Sequence, residues 1–487
     1  MKKNSLLKAI GIVFAVYVVL SWIIPTGYFS SGEFATDATD PVGLIDLIKY
    51  PVITFTSSVF VLTALNLLII GGLYGVLNKT GAYTKIIDGI VKKFKGKEKK
   101  FLIISIMVFA ILASLTGLTT PLFVLVPFFA AILLLLGFNG VVTLLGTAGA
   151  ILVGNMASTF GFNINGYITY FLSVGMNDSL LYRFIFLIIT LVLYTFVVLK
   201  ITDSKEGKVS KTKKTSKKPT KKEEKNTDVL VIPFYTPTTS SNKKSVKPII
   251  IIGVLAMIYI LVGMYNWSIG LNVTFFDDIY ESIMSFEIGG YTIFANIIGT
   301  VDPIGYLSNY DLAVILLFVT GVITLIYKIS LKDAVNAFVD GVKKMVPVAC
   351  YAVAACIIFL LMNSSSSGYT IFATISNFFL ELTDGFNAIT MGIVSAIGGL
   401  FYNDFPYMLN ALYSKFSVSY TEFTLIGMIG QTMHGLVMLI APTSIILVAG
   451  LTYLNVSYKE WFKTIWKYLL YALGTIVFII VIMLIFA

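Results

Sequence analysis

The feature that most constrains this chain is a long apolar run, residues 421–462, whose middle is broken by Ala441-Pro442-Thr443-Ser444. A proline has no backbone N–H with which to continue a helix, and here two hydroxyl side chains follow it. Inside a bilayer, the backbone groups freed by such a break must face protein, a water-filled cavity or a bound solute. The break therefore marks a candidate functional point within a membrane, and we favour a bound solute.

An earlier stretch of the chain repeats this pattern. Residues 143–184 align with the run without gaps, so that Gly154 falls on Gly435. The break recurs as well, because the segment STFGFN at 158–163 lies opposite the Pro442 region. A duplicated unit with an interrupted membrane helix indicates a secondary transporter whose site lies where the repeats meet. Chance similarity between two apolar segments is the alternative.

The composition is that of an integral membrane protein. Of the 487 residues, 57% are hydrophobic and 12% are charged, whereas a soluble domain has about 25% charged residues. Since a span needs about 20 apolar residues, the chain has room for roughly ten. The first apolar run, ending near Ile24, is too long for a signal-peptide core. We therefore expect an all-α polytopic protein in the cytoplasmic (inner) membrane of a bacterium, in contact with the lipid bilayer.

A basic tract divides the chain into two halves. Between Lys200 and Lys247 lie 14 of the 35 Lys and Arg residues. Such a tract cannot bury a core, so we predict a disordered cytoplasmic linker at 202–247 between a first repeat, 1–201, and a second repeat, 248–487. Binding of anionic lipid or nucleic acid is the other interpretation, and we expect no nucleic-acid partner.

Each half also contains a short apolar hairpin before its broken helix. The first, about 101–138, has its midpoint at residues 117–121, and the second, about 387–416, at residues 402–406. The arms of the first would each be barely long enough for a full crossing, so we predict re-entrant hairpins. The broken transmembrane helices are predicted at 143–174 and 424–455.

The positive-inside rule sets the predicted topology. Lys2, Lys3 and the segment KKFKGKEKK at 92–100 place the N-terminus inside, so the first hairpin enters from the inside and the second from the outside. The two repeats then have inverted topology. The amphipathic, basic segment Lys328–Lys344 is expected to lie along the inner surface.

Two motifs carry a family resemblance. GGLYGVLNKTGAYTKIIDGIVKKFKGKEK at 71–99 and LIAPTSIILVAGLTYLNVSYKEWF at 439–462 resemble the corresponding stretches of the YfcC-like carriers. That group includes the arginine-ornithine antiporters and is related to the anaerobic four-carbon dicarboxylate carriers in the ion-transporter superfamily. The resemblance implies a scaffold domain, a transport domain of two hairpins and two broken helices that moves as an elevator, and a homodimer.

The hairpin tips depart from the family pattern. Members usually carry acidic residues after the glycine of the first tip, where this chain has Leu118-Thr119-Thr120-Pro121. In the second hairpin, the usual Pro-Ser-Gly-Ser is replaced by Asn403-Asp404-Phe405-Pro406. Asp404 is a candidate for a cation-binding role that the family places on the other tip. A position of Asp404 in outer water is the alternative.

The candidate binding residues follow from the groups that hairpin tips and helix breaks expose. Half-helix N-termini suit a carboxylate, while unwound carbonyls and hydroxyls suit sodium or an ammonium group. The predicted substrate-binding residues are Thr119, Thr120, Ser158, Thr159, Asn163, Asn403, Asp404, Thr443 and Ser444. A sodium ion is an option near Ser158, Thr159, Thr443 and Ser444. For each hydroxyl, a hydrogen bond within or between helices is the alternative.

The single histidine, His434, lies eight positions before Pro442. Because an unperturbed histidine titrates near physiological pH, His434 is a candidate for carrying a coupling proton. A neutral histidine that bonds across a helix interface is the alternative. Gln431, nearly one turn earlier, would share its face.

No enzymatic signature is found in the sequence, which lacks a phosphate-binding glycine loop with Lys and a His-Glu zinc motif. We therefore predict a transporter rather than an enzyme, without a cofactor other than a coupling Na⁺ or H⁺. The tips carry no Lys or Arg to pair with a second carboxylate, and Asp404 suits an amino group, so the expected substrate is a small basic or neutral amino acid. The resemblance to the antiporters implies arginine/ornithine-type exchange. The alternatives are a sodium- or proton-coupled dicarboxylate carrier and a channel.

Overall fold

The computed structural model describes residues 4–37, 39–203, 232–237, 244–299, 301–363 and 369–486, without the side chains of residues 58 and 59. Most of the predicted basic linker therefore lies outside the described residues. The inverted arrangement of two repeats at 1–201 and 248–487 stays a prediction.

The first half is helical apart from one short β-hairpin. In this half the described helices are α1 (Asn4–Ile23), α2 (Asp46–Thr56), α3 (Ser58–Thr80), α4 (Ala82–Phe94), α5 (Glu98–Thr116), α6 (Thr120–Phe123), α7 (Val126–Leu135), α8 (Gly140–Leu144), α9 (Ala150–Met156), α10 (Tyr167–Leu172) and α11 (Leu180–Asp203). Two π-helical turns, Leu145–Gly149 and Phe162–Gly166, precede α9 and α10. Antiparallel strands β1 (Gly27–Ser30) and β2 (Glu33–Thr36) follow α1.

The second half has the same character. Its described helices are α12 (Lys247–Gly263), α13 (Trp267–Leu271), α14 (Phe275–Met284), α15 (Ile293–Ile298), α16 (Asn309–Ile326), α17 (Leu331–Ala354), α18 (Ile357–Met362), α19 (Ile371–Leu380), α20 (Ala388–Phe401), α21 (Phe405–Ser419), α22 (Phe423–Met438), α23 (Ile445–Tyr453) and α24 (Tyr458–Phe486). Strands β3 (Glu287–Ile288) and β4 (Tyr291–Thr292) form a second small hairpin.

Among the described residues, seven helices are long and apolar enough to cross a membrane. They are Ser5–Ile23, Phe60–Thr80, Glu98–Thr116, Leu180–Asp203, Asn309–Ile326, Leu331–Met362 and Tyr458–Phe486. Shorter apolar helices, such as those of the hairpins and the broken helices, lie between them. This architecture confirms the predicted all-α polytopic membrane fold.

Both predicted hairpins have two helical arms joined at a short tip, and the second arm of the first hairpin is divided into α6 and α7. In the first, α5 ends at Thr116 and α6 begins at Thr120; in the second, α20 ends at Phe401 and α21 begins at Phe405. The helices of the two hairpins span 98–135 and 388–419, within a few residues of the predicted 101–138 and 387–416. Entry of the hairpins into a bilayer from opposite sides stays a prediction.

Helical structure is interrupted at both predicted breaks. Residues 157–161 separate α9 from the π-helical turn that precedes α10, and residues 439–444 separate α22 from α23. The helical segments on either side span 140–172 and 423–453, close to the predicted 143–174 and 424–455. Non-helical backbone within these apolar segments requires partners for its N–H and C=O groups.

One prediction about the second half is wrong. Lys328–Lys344 does not form a separate surface helix, because α17 continues without a break from Leu331 into the apolar segment that follows. The reason is close packing on α3, where a Cβ on Gly341 would overlap the carbonyl of Gly71. The two backbones touch at small residues, so α17 is held along α3.

Candidate functional site

Both hairpin tips, the residues that flank the first helix break and the end of the second break border one cavity of about 230 Å³. Its wall includes Gly117 and Thr119 from the first tip and Asn403 from the second. Asn163 and Ser444 line it from the two broken helices. The structure therefore brings together side chains that are more than 300 positions apart in the sequence.

The two tips share the position of a proline, although their backbone conformations differ. Thr119 precedes α6 as Asp404 precedes α21, and each helix has a proline at its second position, Pro121 and Pro406. Proline suits the first turn of a helix because the N–H groups there have no helical partner. At the first tip, Gly117 ends α5 with φ of 70°, a conformation that favours glycine.

Asp404 lies in the cavity rather than in a peripheral loop. Its side chain is exposed to the cavity, and its Oδ1 accepts a hydrogen bond from the N–H of Phe405 at 2.9 Å. Within the described part of the chain, Asp404 forms no ion pair. The carboxylate is therefore available to a solute or a cation in the cavity.

Asn163 and Ser444 are equivalent in the internal alignment, and both line the cavity. Asn163 lies just after the first break, within the π-helical turn Phe162–Gly166. Ser444 is the residue before α23, so the first N–H groups of that helix lie beside the cavity at Ile445 and Ile446. Asn163 and Ser444 thus place polar groups from the two broken helices on one cavity.

Ser158 and Thr159 do not line the cavity, since both are fully buried against the end of α5. The Ser114 carbonyl accepts hydrogen bonds from the Thr159 N–H at 2.9 Å and from the Ser158 hydroxyl at 3.3 Å. The Ser114 hydroxyl in turn donates to the Ala157 carbonyl at 2.6 Å and lies 3.1 Å from Thr159 Oγ1. These bonds satisfy the backbone groups that the first break exposes.

Side-chain amides complete the first break. Gln431 Nε2 donates to the Ser158 carbonyl at 2.8 Å and, at 3.3 Å, to the carbonyl of Met156. Asn165 Nδ2 donates to the Thr159 carbonyl at 2.7 Å. Because Gln431 belongs to α22, it ties the second broken helix to the first break. Its Oε1 is buried without a hydrogen-bond partner.

The second break is held by α24 and by the second hairpin. Trp461 Nε1 donates to the Leu439 carbonyl at 2.8 Å, and the Tyr458 hydroxyl donates to the Ile440 carbonyl. Thr443, which is buried and off the cavity wall, directs its hydroxyl at the Gly399 carbonyl at 3.5 Å. Of the predicted pair, only Ser444 lines the cavity.

His434 lines the cavity but is 97% buried by its neighbours, with 3% of its surface exposed. Its Nε2 lies 3.1 Å from the Tyr402 carbonyl, and since a carbonyl only accepts, Nε2 carries the hydrogen. The ring also meets the edge of Phe405 with centroids 5.8 Å apart. These contacts join α22 to the second tip, and a role of His434 in proton coupling stays a prediction.

Several lining residues were not predicted. Asn155 on α9, Asn309 at the start of α16, Thr63 on α3 and Tyr407 on α21 also border the cavity. Asn155 lies one turn before the first break, so its position in the apolar helix was a usable signal. Asn309 and Thr63 come from helices far from the breaks in sequence, and only the packed fold reveals them.

The cavity has an unusual charge balance for an anion site. Among its described lining residues none is Lys or Arg, and Asp404 is the acid. The amide oxygens of Asn155, Asn403 and Gln431 are buried without partners. The described wall is therefore polar mainly through its amide groups, and Asp404 is its acidic group.

A comparison with protein families identifies the family to which this chain belongs. The family model described as C4-dicarboxylate anaerobic carrier matches residues 4–486. The chain belongs to this family. Membership in the C4-dicarboxylate anaerobic carriers confirms a multi-pass transporter of a small molecule. It gives no support to the predicted amino-acid substrate, and it favours the dicarboxylate alternative.

Neither curated proteins nor solved structures identify the substrate. No curated protein matches the chain. Among solved structures, the YdaH transporter of Alcanivorax borkumensis, whose crystal structure is described as revealing an unusual topology, is similar with 14% identity and a TM-score of 0.35. The similarity covers 98% of this chain and 97% of that one, and at this score it carries no further conclusion. The specific relation to arginine-ornithine antiporters stays a prediction.

Proposed function

We propose that this protein is a secondary transporter that moves a C4-dicarboxylate, with the cavity between the two tips as its binding site. The observation that supports the proposal most strongly is the convergence of both tips and both breaks on one cavity in a chain of this family. Paired broken elements of this kind mark the substrate sites of transporters.

A dicarboxylate can be bound here without Lys or Arg. The N-termini of α21 and α23 meet the cavity at Phe405, Ile445 and Ile446, and the positive end of a helix dipole favours a carboxylate. The amide groups of Asn163 and Asn403 supply further N–H donors. The positive end of α23 can take one substrate carboxylate and the two amides the other, because Asp404 already accepts the first N–H of α21.

Asp404 would repel a bound dianion unless a cation accompanies it, because like charges in one enclosed site disfavour each other. We therefore propose that a coupling Na⁺ or H⁺ is held by Asp404 together with the unpartnered amide oxygens of Asn403 and Gln431. This assignment replaces Ser158 and Thr159 as sodium ligands, since their hydroxyls already bond to Ser114.

One observation supports a second candidate function. Asp404 is an unpaired carboxylate in a cavity whose described wall has no Lys or Arg, and such a site also suits the amino group of an amino acid. Amino-acid exchange is therefore the rival to be tested beside dicarboxylate transport.

A thermal-shift screen of the purified protein separates the two. A ligand at 100 times its Kd stabilises the folded state by about 2.7 kcal/mol, which raises the unfolding temperature measurably. We expect a shift with succinate, fumarate or malate that grows when Na⁺ is added or pH is lowered. A shift with arginine or ornithine and none with any dicarboxylate would contradict the proposal.

A further inference from the structure

A short piece of the predicted linker is docked in a groove behind the cavity. Residues 232–237, with sequence IPFYTP, are described between two stretches that are not, and we name them the latch segment. Phe234 is its anchor, with 1% of its surface exposed. Pro233 and Pro237 restrict the backbone on either side, which lowers the entropy lost on docking.

Polar contacts fix the latch segment to α3 and α4. The Asn78 side chain pairs with Thr236 twice, donating to Oγ1 at 2.9 Å and accepting from the backbone N–H at 3.2 Å. The Tyr235 hydroxyl donates to Asp88 Oδ1 at 2.6 Å. Partial burial and this bond raise the pKa of Tyr235 to about 12, so the hydroxyl stays a donor at neutral pH.

Aromatic contacts connect Phe234 to both halves of the molecule. Its ring lies 5.7 Å from that of Tyr74 on α3 and stacks at 6.4 Å on Tyr453 of α23. Lys344 of α17 places its Nζ 5.2 Å from the centre of the Phe234 ring. Phe234 is thus wedged between elements of the first and second halves.

Two of the helices that hold Phe234, α3 and α23, also line the cavity. Tyr453 is the last residue of α23, a helix of nine residues whose first residues line the cavity, about 12 Å away at 1.5 Å per residue. Tyr453 also contacts Phe123, the last residue of α6, at 6.4 Å. Any rigid movement of α6 or α23 relative to α3 therefore changes the groove that holds Phe234.

The backbone at Phe234 indicates that docking imposes its conformation. Its φ is 58°, in the left-handed region that a non-glycine residue adopts at a cost of about 1 kcal/mol. Such a conformation persists only where surrounding contacts hold it. The contacts that hold it here come from helices on both sides of the groove.

We propose that the latch segment restrains the transport cycle: Phe234 locks α6 and α23 to α3 in this conformation, and residues 232–237 must leave the groove when the cavity changes the side to which it opens. The inference rests on the proposed transport function, because only a carrier has to alternate access. Release of the latch segment then limits the rate of turnover.

A reversible cross-link tests the need for release. The full-length variant carrying Asn78→Cys and Thr236→Cys is placed in proteoliposomes, and succinate counterflow is measured after oxidation and after reduction. We expect the oxidised form to be at least about tenfold slower and the reductant to restore the rate. The single variants Asn78→Cys and Thr236→Cys, which cannot form this cross-link, control for oxidation elsewhere.

Weakening the latch segment should have the opposite effect. Phe234→Ala is expected to increase the counterflow rate severalfold, and Tyr235→Phe, which removes the bond to Asp88, to increase it less. Tyr280→Phe is the matched control, because it removes an exposed tyrosine bond to the Val301 carbonyl at 2.9 Å on another part of the molecule. Equal rates for the oxidised and reduced double variant, with Phe234→Ala no faster than wild type, would overturn the proposal. The latch segment would then only stabilise the fold.

The two proposals fail in different ways. If wild-type vesicles exchange arginine but no dicarboxylate, the substrate assignment is wrong, and the oxidised and reduced forms are then compared in arginine exchange. A cross-link that stops arginine exchange would still support release of the latch segment. A cross-link without effect on the substrate that is transported would overturn it.

Discussion

At the scale of single residues, the two hairpin tips carry different chemistry at corresponding positions. Thr119 and Asp404 occupy the same position before α6 and α21, yet the first carries a neutral hydroxyl and the second a carboxylate. The cavity therefore has a negative charge on one side. An acid placed in an apolar membrane protein is costly and is expected to be functional.

The charge of Asp404 should be needed for cation coupling. Asp404→Asn keeps the shape and the oxygen that accepts from Phe405, but it removes the charge that attracts Na⁺ or H⁺. We expect a loss of at least about tenfold in cation-driven succinate uptake, with weakened dependence on Na⁺ or pH, measured in proteoliposomes. Asp278→Asn, the same change at an exposed residue that bonds to Thr274, should have no effect. Unchanged uptake by Asp404→Asn would contradict the coupling role.

Ser114 should stabilise the first break. Ser114→Ala removes the hydroxyl that donates to the Ala157 carbonyl, leaving a buried acceptor unpaired at about 1–3 kcal/mol. We expect a clearly lower unfolding temperature in detergent. Ser395→Ala is the control, since that buried hydroxyl bonds to the Met391 carbonyl one turn back in its own helix, where the loss is small. Equal effects of the two substitutions would show that Ser114 has no special role.

The residues predicted from the sequence all lie at or beside the cavity, but three of them do not line it. Thr119, Thr120, Asn163, Asn403, Asp404 and Ser444 line the cavity, whereas Ser158, Thr159 and Thr443 are buried beside it. A helix break exposes backbone carbonyls that require hydrogen bonds, and it can also form a binding site. A hydroxyl near the break can bond to the backbone or face the site. The sequence does not state which, because the partner Ser114 lies more than 40 positions away.

At the scale of elements, the close contact of α3 and α17 sets the position of α3 against the cavity. Gly71, Gly75 and Gly341 allow the two backbones to touch, and Thr63 on the same α3 lines the cavity. Small residues at membrane helix contacts permit such approach. The charges of Lys328–Lys344 suggest a surface helix, while Ala337 and Gly341 of the same segment touch the backbone of α3.

A methyl group at Gly341 should separate these helices. Gly341→Ala places a Cβ against the Gly71 carbonyl, and both elements are backbone that cannot move aside locally. We expect lower yield and a lower unfolding temperature, with overpacking costing about 1–3 kcal/mol. Gly321→Ala, in α16 with open space around its Cβ, should be neutral or stabilising, because alanine favours helix. A stable Gly341→Ala variant would contradict the close packing.

At the scale of the whole molecule, four interruptions in the chain converge on one cavity. The sequence predicts each of them, since proline, glycine and hydroxyl residues inside apolar runs have few structural explanations in a bilayer. It does not predict the latch segment, because IPFYTP lies within a polar, basic tract and its partners Tyr74, Tyr453 and Lys344 belong to three separate helices. The substrate class also came from outside the residue pattern, through the family match.

The most direct test of the account is counterflow in proteoliposomes. Vesicles loaded with succinate are diluted into labelled succinate, and competitors are added outside. We predict accumulation of label that fumarate and malate suppress and that arginine and ornithine do not. Accumulation of labelled arginine in arginine- or ornithine-loaded vesicles, with none of labelled succinate, would contradict dicarboxylate transport and restore the amino-acid exchanger.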